Sequence, residues 1–560
     1  MSRNRRMIGL SLGDCVHVAG VLNFLDLAEQ QGYRTVFAGA AKSPEEAAEI
    51  AEKERAEVLA VGYRLDPDAA RNLFRRLKEA LAERGISPDL LFGGTPPVAE
   101  VAEAEGMFRA VFSGREDVDE VIAFLRGVSS AKRREDYPAD VVGRIESKAP
   151  YPILRHHFGL PSMDNTLRGV REIAESGVLD VISLGPDQNA QECFFRPDEM
   201  DHDQDGSGGV PMRSSADLEA LYEAGRRGNH PLMRCYSGTR DVIRFAEVLR
   251  TTIHNAWAAV PLCWYNVLDR RGPRGVAESI EEGQRSMAWH AERGIPVEVN
   301  ESHHWSLRDA PDVVAVAAFY LAAYNAKKAG VRNYVAQFMF NTPPGTTAAM
   351  DLGKMLAKLE LIRTLEGENF RVWRQVRAGL ASFPVDLDQA RGQLATSTLV
   401  SMNLRPHIVH VVGYCEGQHI AQASEVIESC KIARGVIRNC LSGMPDMTKD
   451  TAVQRRRDRL VEDARTLLNA IEELHDMRRG EAAGSDPFTD PVTLALAIQT
   501  GLLDAPHLTG NPHACGAIST SIVGGACVAV DPVTRAPLIE EARVGAILGS
   551  VPGTRLATGL

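Results

Sequence analysis

The feature that most constrains this chain is an alternation. Across residues 7 to 127 the short apolar runs MIGLSL, RTVFAGA, EVLAVGY, DLLFGG and FRAVFSG are strand-like, and the segments between them have helical periodicity. Ser43, Pro44 and Glu46 form a capping box with proline at the first helical position, and Asp66 with Pro67 opens the next helix in a similar way. Five strands with intervening helices imply parallel crossovers. Residues 1–128 are therefore expected to form a flavodoxin-like doubly wound α/β domain, whose ligands bind outside the carboxyl ends of the strands. GDCVHVAG follows the first strand and GGTPP (93 to 97) the fourth, so both border one crevice.

Residues 129–150 are polar and weakly periodic, and read as a linker. From 151 to 480 a strand-then-helix pattern repeats through VLDVISLG, HPLMRCYSG, IPVEVNES, NYVAQFMF and HIVHVVGYCE. That length and alternation predict a (β/α)8 TIM-type barrel with its active site at the carboxyl ends of the strands. Residues 451 to 478 read as a long amphipathic helix with Val453, Leu460, Ala464, Leu467, Ile471 and Leu474 on one face, which makes RRRDR (455 to 459) its solvated side. Residues 481–560, rich in Gly and Pro, are expected to cap the barrel.

The chain's formal net charge of -11, with no compensating basic domain, argues against a nucleic-acid partner. VVAVAAFYLAAY (313 to 324) is too short to span a bilayer and reads as a core helix, and the N-terminal stretch lacks a signal-peptide apolar region. Nine cysteines without a CxxC pair signal neither a disulfide framework nor a structural zinc site. A cytoplasmic protein with no membrane association is the expectation.

The Asp/His/Gly turn and the later glycine pair carry a resemblance. The first domain resembles the cobalamin-binding domain of corrinoid mutases and methyltransferases, whose signature is Asp-x-His-x-x-Gly. His17 and Gly20 match it, while Cys15 stands where the aspartate is expected and Asp14 lies one residue earlier. The resemblance implies His17 as the lower cobalt ligand, Asp14 as the carboxylate steadying its imidazole, and Gly20, Gly93 and Gly94 along the cofactor's nucleotide tail. The family's Ser-x-Leu motif is present as GYRL, with Gly62 in place of serine.

The second half resembles the large catalytic subunit of glutamate mutase (methylaspartate mutase). The pieces that carry this are RCYSGTRDVIRFAEVLR, WYNV, SFP, CEGQHIAQASEVIESCKIARGVI and IQTGLLDAPHLTGNPHACG, in the family's order. It implies adenosylcobalamin as cofactor and a radical rearrangement of glutamate or a related small amino acid or carboxylic acid; a homodimer is the expected assembly. Arg155 and Arg234 match two of the family's three substrate arginines, and Gln191 falls where the third is expected. Tyr265 matches a substrate-contacting tyrosine, and Glu416 the glutamate that binds the adenosyl ribose. The family's proton-accepting glutamate aligns near Ala258 and Ala259, where there is no carboxylate. A corrinoid methyltransferase and a non-catalytic cobalamin-binding protein are the alternatives.

Other chemistry-bearing stretches read more plainly. DHDQDG (201 to 206) looks like half a calcium loop, but Met212 stands where a bidentate Glu is needed, so a polar loop beside the substrate is expected. His156/His157 and His303/His304 are adjacent pairs without metal-ligand spacing.

Overall fold

The computed structural model describes residues 5–114, 116, 118–127, 137–478 and 484–551. The chain divides into two compact units, Met1–Arg133 and Arg134–Leu560. Among the described residues no helix is long and apolar enough to cross a membrane.

The first unit is built on five strands, β1 (Arg6–Leu12), β2 (Arg34–Ala41), β3 (Val58–Tyr63), β4 (Asp89–Gly94) and β5 (Ala110–Phe112). All pair in parallel in the order β2-β1-β3-β4-β5. This is the flavodoxin order, with the switch point between β1 and β3. Helix starts follow the sequence: Ser43 accepts from the Glu46 amide and Asp66 from the Ala69 amide, each ahead of a proline at the first turn. Apolar residues face both sides of the sheet. Ile8, Leu10, Leu59, Val61 and Phe92 pack on one side, and Met7, Val58, Ala60 and Leu91 on the other.

The second unit is an eight-stranded parallel barrel of β6 (Ile153–Phe158), β7 (Val181–Leu184), β8 (Leu232–Cys235), β9 (Ala258–Pro261), β10 (Val297–Asn300), β11 (Asn333–Phe340), β12 (Arg371–Ala378) and β13 (Ile408–His410). The order runs β8-β7-β6-β13-β12-β11-β10-β9, so the first and last barrel strands are neighbours. At the seam between β8 and β9 the Ala256 amide donates to Met233 O at 2.8 Å.

Strand alternation sorts the side chains into two sets. Leu154, Ile182, Met233, Val260, Val299, Phe338, Val376 and Val409 face the surrounding helices. Ile153, Val181, Leu232, Trp257, Val335, Trp373 and Ile408 point inward as an apolar floor at the amino end of the lumen. At roughly 1.5–3 kcal/mol per fully buried large apolar side chain, this layer stabilises the barrel and keeps water from its base.

Part of the expected linker belongs to this floor. Residues Val141–Lys148 form a helix capped by Asp140, and its Val141 and Ile145 pack against the floor residues. Arg144 donates to Pro138 O, Asn229 O and His230 O, which locks the helix in place. The alternation of buried and polar residues over eight positions was too short to register as a helix in the sequence.

The long helix Thr451–Asp476 buries the six apolar residues expected of it, and Arg456, Arg457 and Arg459 form ion pairs along its flank. The helix Asp312–Lys328 is buried along most of its length. Beyond residue 484, a helix (Pro491–Thr500), an antiparallel hairpin of β14 (Ser519–Val523) and β15 (Ala526–Val530), and a last helix (Glu540–Ser550) follow. Asn511 donates to Val267 O and Leu268 O, and Gly525 O accepts from Thr347 N, so this segment contacts loops at the carboxyl ends of the barrel strands.

Candidate functional site

Above the apolar floor the lumen turns polar. Arg155 on β6 and Arg234 on β8 are both buried, as is Glu298 on β10. Arg155 donates to Ser183 Oγ at 2.6 Å and to His410 Nδ1 at 2.7 Å. Arg234 donates to Glu298 Oε2 at 3.0 Å, and the Trp257 indole donates to the same oxygen at 2.8 Å. The Trp257 ring lies under both guanidinium groups, 5.7 and 5.2 Å from its centroid. Gln375 donates to Gln337, closing the ring of polar side chains across β11 and β12.

The structure thus brings Arg155 and Arg234 together over one indole ring. Burial and the facing Arg234 both work against the charge on Arg155, while Glu298, despite its burial, is held below the usual carboxylate range by Arg234 and Arg155. A third guanidinium, Arg377 on β12, stands in register with His410 of β13, and its charge is likewise disfavoured by burial. His157, on β6, stacks on Tyr236 with a 2.9 Å contact between Nε2 and the phenol oxygen. Burial pushes His157, His303 and His410 below the ordinary histidine range, with Arg155 or Arg377 adding to the shift. Both histidine pairs are thus neutral parts of the wall.

Tyr265 follows β9 in a left-handed backbone conformation, φ 67°, which is rare for a bulky residue and is held by several contacts. Its amide donates to Asp269, its carbonyl accepts from Arg274, and the Arg271 guanidinium covers its ring at 4.4 Å. Its phenol is pushed up to about 12 by burial. Glu416 lies just beyond β13, where Oε1 accepts from the Gly413 amide at 2.7 Å and sits 3.3 Å from His156 Nε2. Gln191 does not join the arginines: its amide donates to Pro186 O within its own loop.

The lumen's carboxylate was missed from sequence. Parallel register pairs Glu298 with Ala259, so the acid stands one strand away from the Ala258/Ala259 position that lacks one. A lone Glu inside the apolar run IPVEVNES was the available signal. The DHDQDG loop proves to be an ion-pair network, in which Asp205 and Asp187 share Arg213 and Asn189 donates to Asp205. A separate cleft of about 520 Å³ opens at the amino end of the barrel, beside Tyr137, Tyr222 and His254, away from the strands' carboxyl ends.

In the first unit, His17 and Asp14 are exposed in the turn after β1. No hydrogen bond joins them among the described residues. Gly13 takes a left-handed φ of 64°, and the Ser11 hydroxyl donates to Cys15 O, so Cys15 turns into the core and Asp14 outward. The Cys15 sulfur is the side-chain atom beside His17, 3.8 Å from Nδ1. A Cβ at Gly20 or Gly93 would meet nothing within 4 Å, so both leave open space. Gly94 is different: a Cβ there would lie 2.5 Å from Tyr63 O and 2.7 Å from the Phe92 ring, so close packing requires a glycine at this position.

No family model and no curated protein sequence matches the chain. Among solved structures, the apo, selenomethionine-labelled cobalamin-dependent S-adenosylmethionine radical enzyme OxsB is similar at 10% identity and a TM-score of 0.17, over 85% of this chain and 69% of that one. A likeness of that size carries no structural inference.

Proposed function

We propose that the chain is a cobalamin-dependent carbon-skeleton mutase that uses adenosylcobalamin to rearrange glutamate or a related small amino acid. One observation carries the reading: the lumen has an excess of buried donors. Among the described residues Arg155 Nε, Arg234 Nε and Nη1, and Asn300 Nδ2 have no partner, against Gln375 Oε1 and the ring nitrogen His157 Nδ1, whose role is set by its tautomer. Each unmatched buried group costs about 1–3 kcal/mol, so a small guest bearing carboxylates suits the site better than a neutral one.

The carboxyl-end surface of the first unit fits a corrinoid. His17 is exposed there, Val16 (76% exposed) and Leu65 (44%) offer unpartnered apolar surface after β1 and β3, and Gly20 and Gly93 leave room for a close approach. His17 would be the cobalt ligand, with Asp14 acting only at long range. Bound adenosylcobalamin supplies the radical chemistry that removes hydrogen from an unactivated carbon. Arg155 and Arg234 orient the substrate's carboxylates, Glu298 holds Arg234 in place, and the apolar floor excludes water from below. Tyr265, fixed by Arg271 and Asp269, forms a rigid wall, and Glu416 would accept from a ribose hydroxyl.

The test is the visible spectrum of adenosylcobalamin with wild-type protein and with His17→Ala. A base-off spectrum in the wild type that differs in the variant is expected, followed by an electron paramagnetic resonance signal on adding L-glutamate or a related acid. Arg155→Lys, which keeps the charge but loses the fork, should lower kcat/KM roughly 10- to 100-fold. An unchanged base-on spectrum with no retained cofactor overturns the reading.

A further inference from the structure

The short turn after β13 brings together three side chains of metal-binding type that the reading above does not use. Cys415, His419 and Glu425 each offer one donor atom, and these atoms all lie within 4.8 Å of one another. Around a tetrahedral zinc, with bonds of about 2.0–2.3 Å, donors stand roughly 3 to 4 Å apart. The arrangement is therefore a small closure away from a ligand set.

The local backbone explains why these residues meet. Tyr414–Gly417 form a single 3-10 turn, and the amides of Gln418 and His419 both donate to Cys415 O, folding His419 back over the cysteine. Six residues on, Glu425 sits in the first turn of the helix Ala423–Ser442, where Oε2 accepts from the Gln422 amide at 2.9 Å. Its other oxygen is left for His419 Nε2 at 2.8 Å. Cys415 is buried and therefore fixed, whereas the His419 side chain is 43% exposed and free to adjust.

We propose that Cys415, His419 and Glu425 bind one divalent cation of the zinc class, with the fourth coordination position open to water. Thiolate, imidazole and carboxylate together favour zinc over the hard cations magnesium and calcium, which take oxygen ligands. Thiolate and carboxylate carry two negative charges, which balance the cation. The C-x3-H-x5-E spacing lacks a CxxC pair, so a search for structural zinc patterns passes over it. Because Glu416 belongs to the same turn, the cation would also stiffen the backbone that carries it. The inference does not depend on cobalamin binding.

The test uses the full chain stripped with a chelator and dialysed. Zinc is titrated in competition with a chromophoric chelator, and Co²⁺ is added in parallel as a spectroscopic probe. One zinc per chain is expected, together with a thiolate-to-cobalt charge-transfer absorption in the near ultraviolet that is lost in Cys415→Ser. His419→Ala, at an exposed side chain, should retain the wild-type circular dichroism spectrum and weaken zinc binding at least tenfold. No stoichiometric zinc binding, or binding unchanged in both variants, overturns the proposal. Since neither readout involves the corrinoid, failure here is distinct from failure of the mutase reading.

Discussion

Glu301 shows how far a single buried residue departs from its behaviour in water. It lies just beyond β10, accepts from the Cys263 amide at 2.9 Å and from the Trp305 indole at 2.7 Å, and is pushed up to about 7 by burial, which outweighs both donors. Between about 4.5 and about 7 the folded protein holds this proton more tightly than the unfolded chain does. Its contribution is thus present at low pH and lost as pH rises through that window, by roughly 3 kcal/mol. Urea unfolding at pH 5 and pH 7.5 should show this loss in the wild type and a flatter dependence in Glu301→Gln; equal slopes would refute it. At this scale the sequence revealed residues that stand in recognisable motifs, Arg155 and Arg234 among them. Glu298, Arg377 and His410 stayed hidden because no local pattern marks them, and they reach the same lumen only through the register of β10, β12 and β13.

Between elements, a buried charge network ties three helices together. Lys354, on the helix Ala348–Arg363, lies 2.9 Å from Asp351 and 3.2 Å from Asp312, and Arg456 of the long helix Thr451–Asp476 also reaches Asp312 at 2.8 Å. Burial works against the charge on Lys354, but Asp312 and Asp351 together hold its proton more firmly than usual. Lys354→Met should leave Asp351 uncompensated and destabilise the second unit by roughly 3–5 kcal/mol in urea unfolding; a loss under about 1 kcal/mol would show that the network is dispensable. Most elements were legible from periodicity, including all five strands of the first unit. Three barrel strands were not among the strand-like runs: β6, β9 and β12. In ILRHHF and RVWRQVRA the inward positions mix Ile and Trp with Arg, His and Gln, so burial and polarity do not separate as the alternation rule assumes, and AAVP is too short to register.

At the scale of the whole molecule, the first unit carries its own core on both faces of its sheet, drawn from residues within Met1–Arg133. A fragment of residues 1–133 should therefore unfold cooperatively in urea, followed by circular dichroism; a broad, non-cooperative transition would show that its stability depends on the rest of the chain. The sequence by itself determined the two-unit α/β organisation and the parallel sheets, because strand and helix periods and capping residues are local properties. It also marked His17, Arg155, Arg234, Tyr265 and Glu416 as candidates. Tertiary structure alone decided that Cys15 turns into the core beside His17 while Asp14 stays exposed, that Glu298 stands beside Ala259, and that Cys415, His419 and Glu425 converge. Those outcomes depend on a one-residue turn geometry, on strand register and on a helix start, and each moves a side chain by several ångströms without altering any sequence pattern.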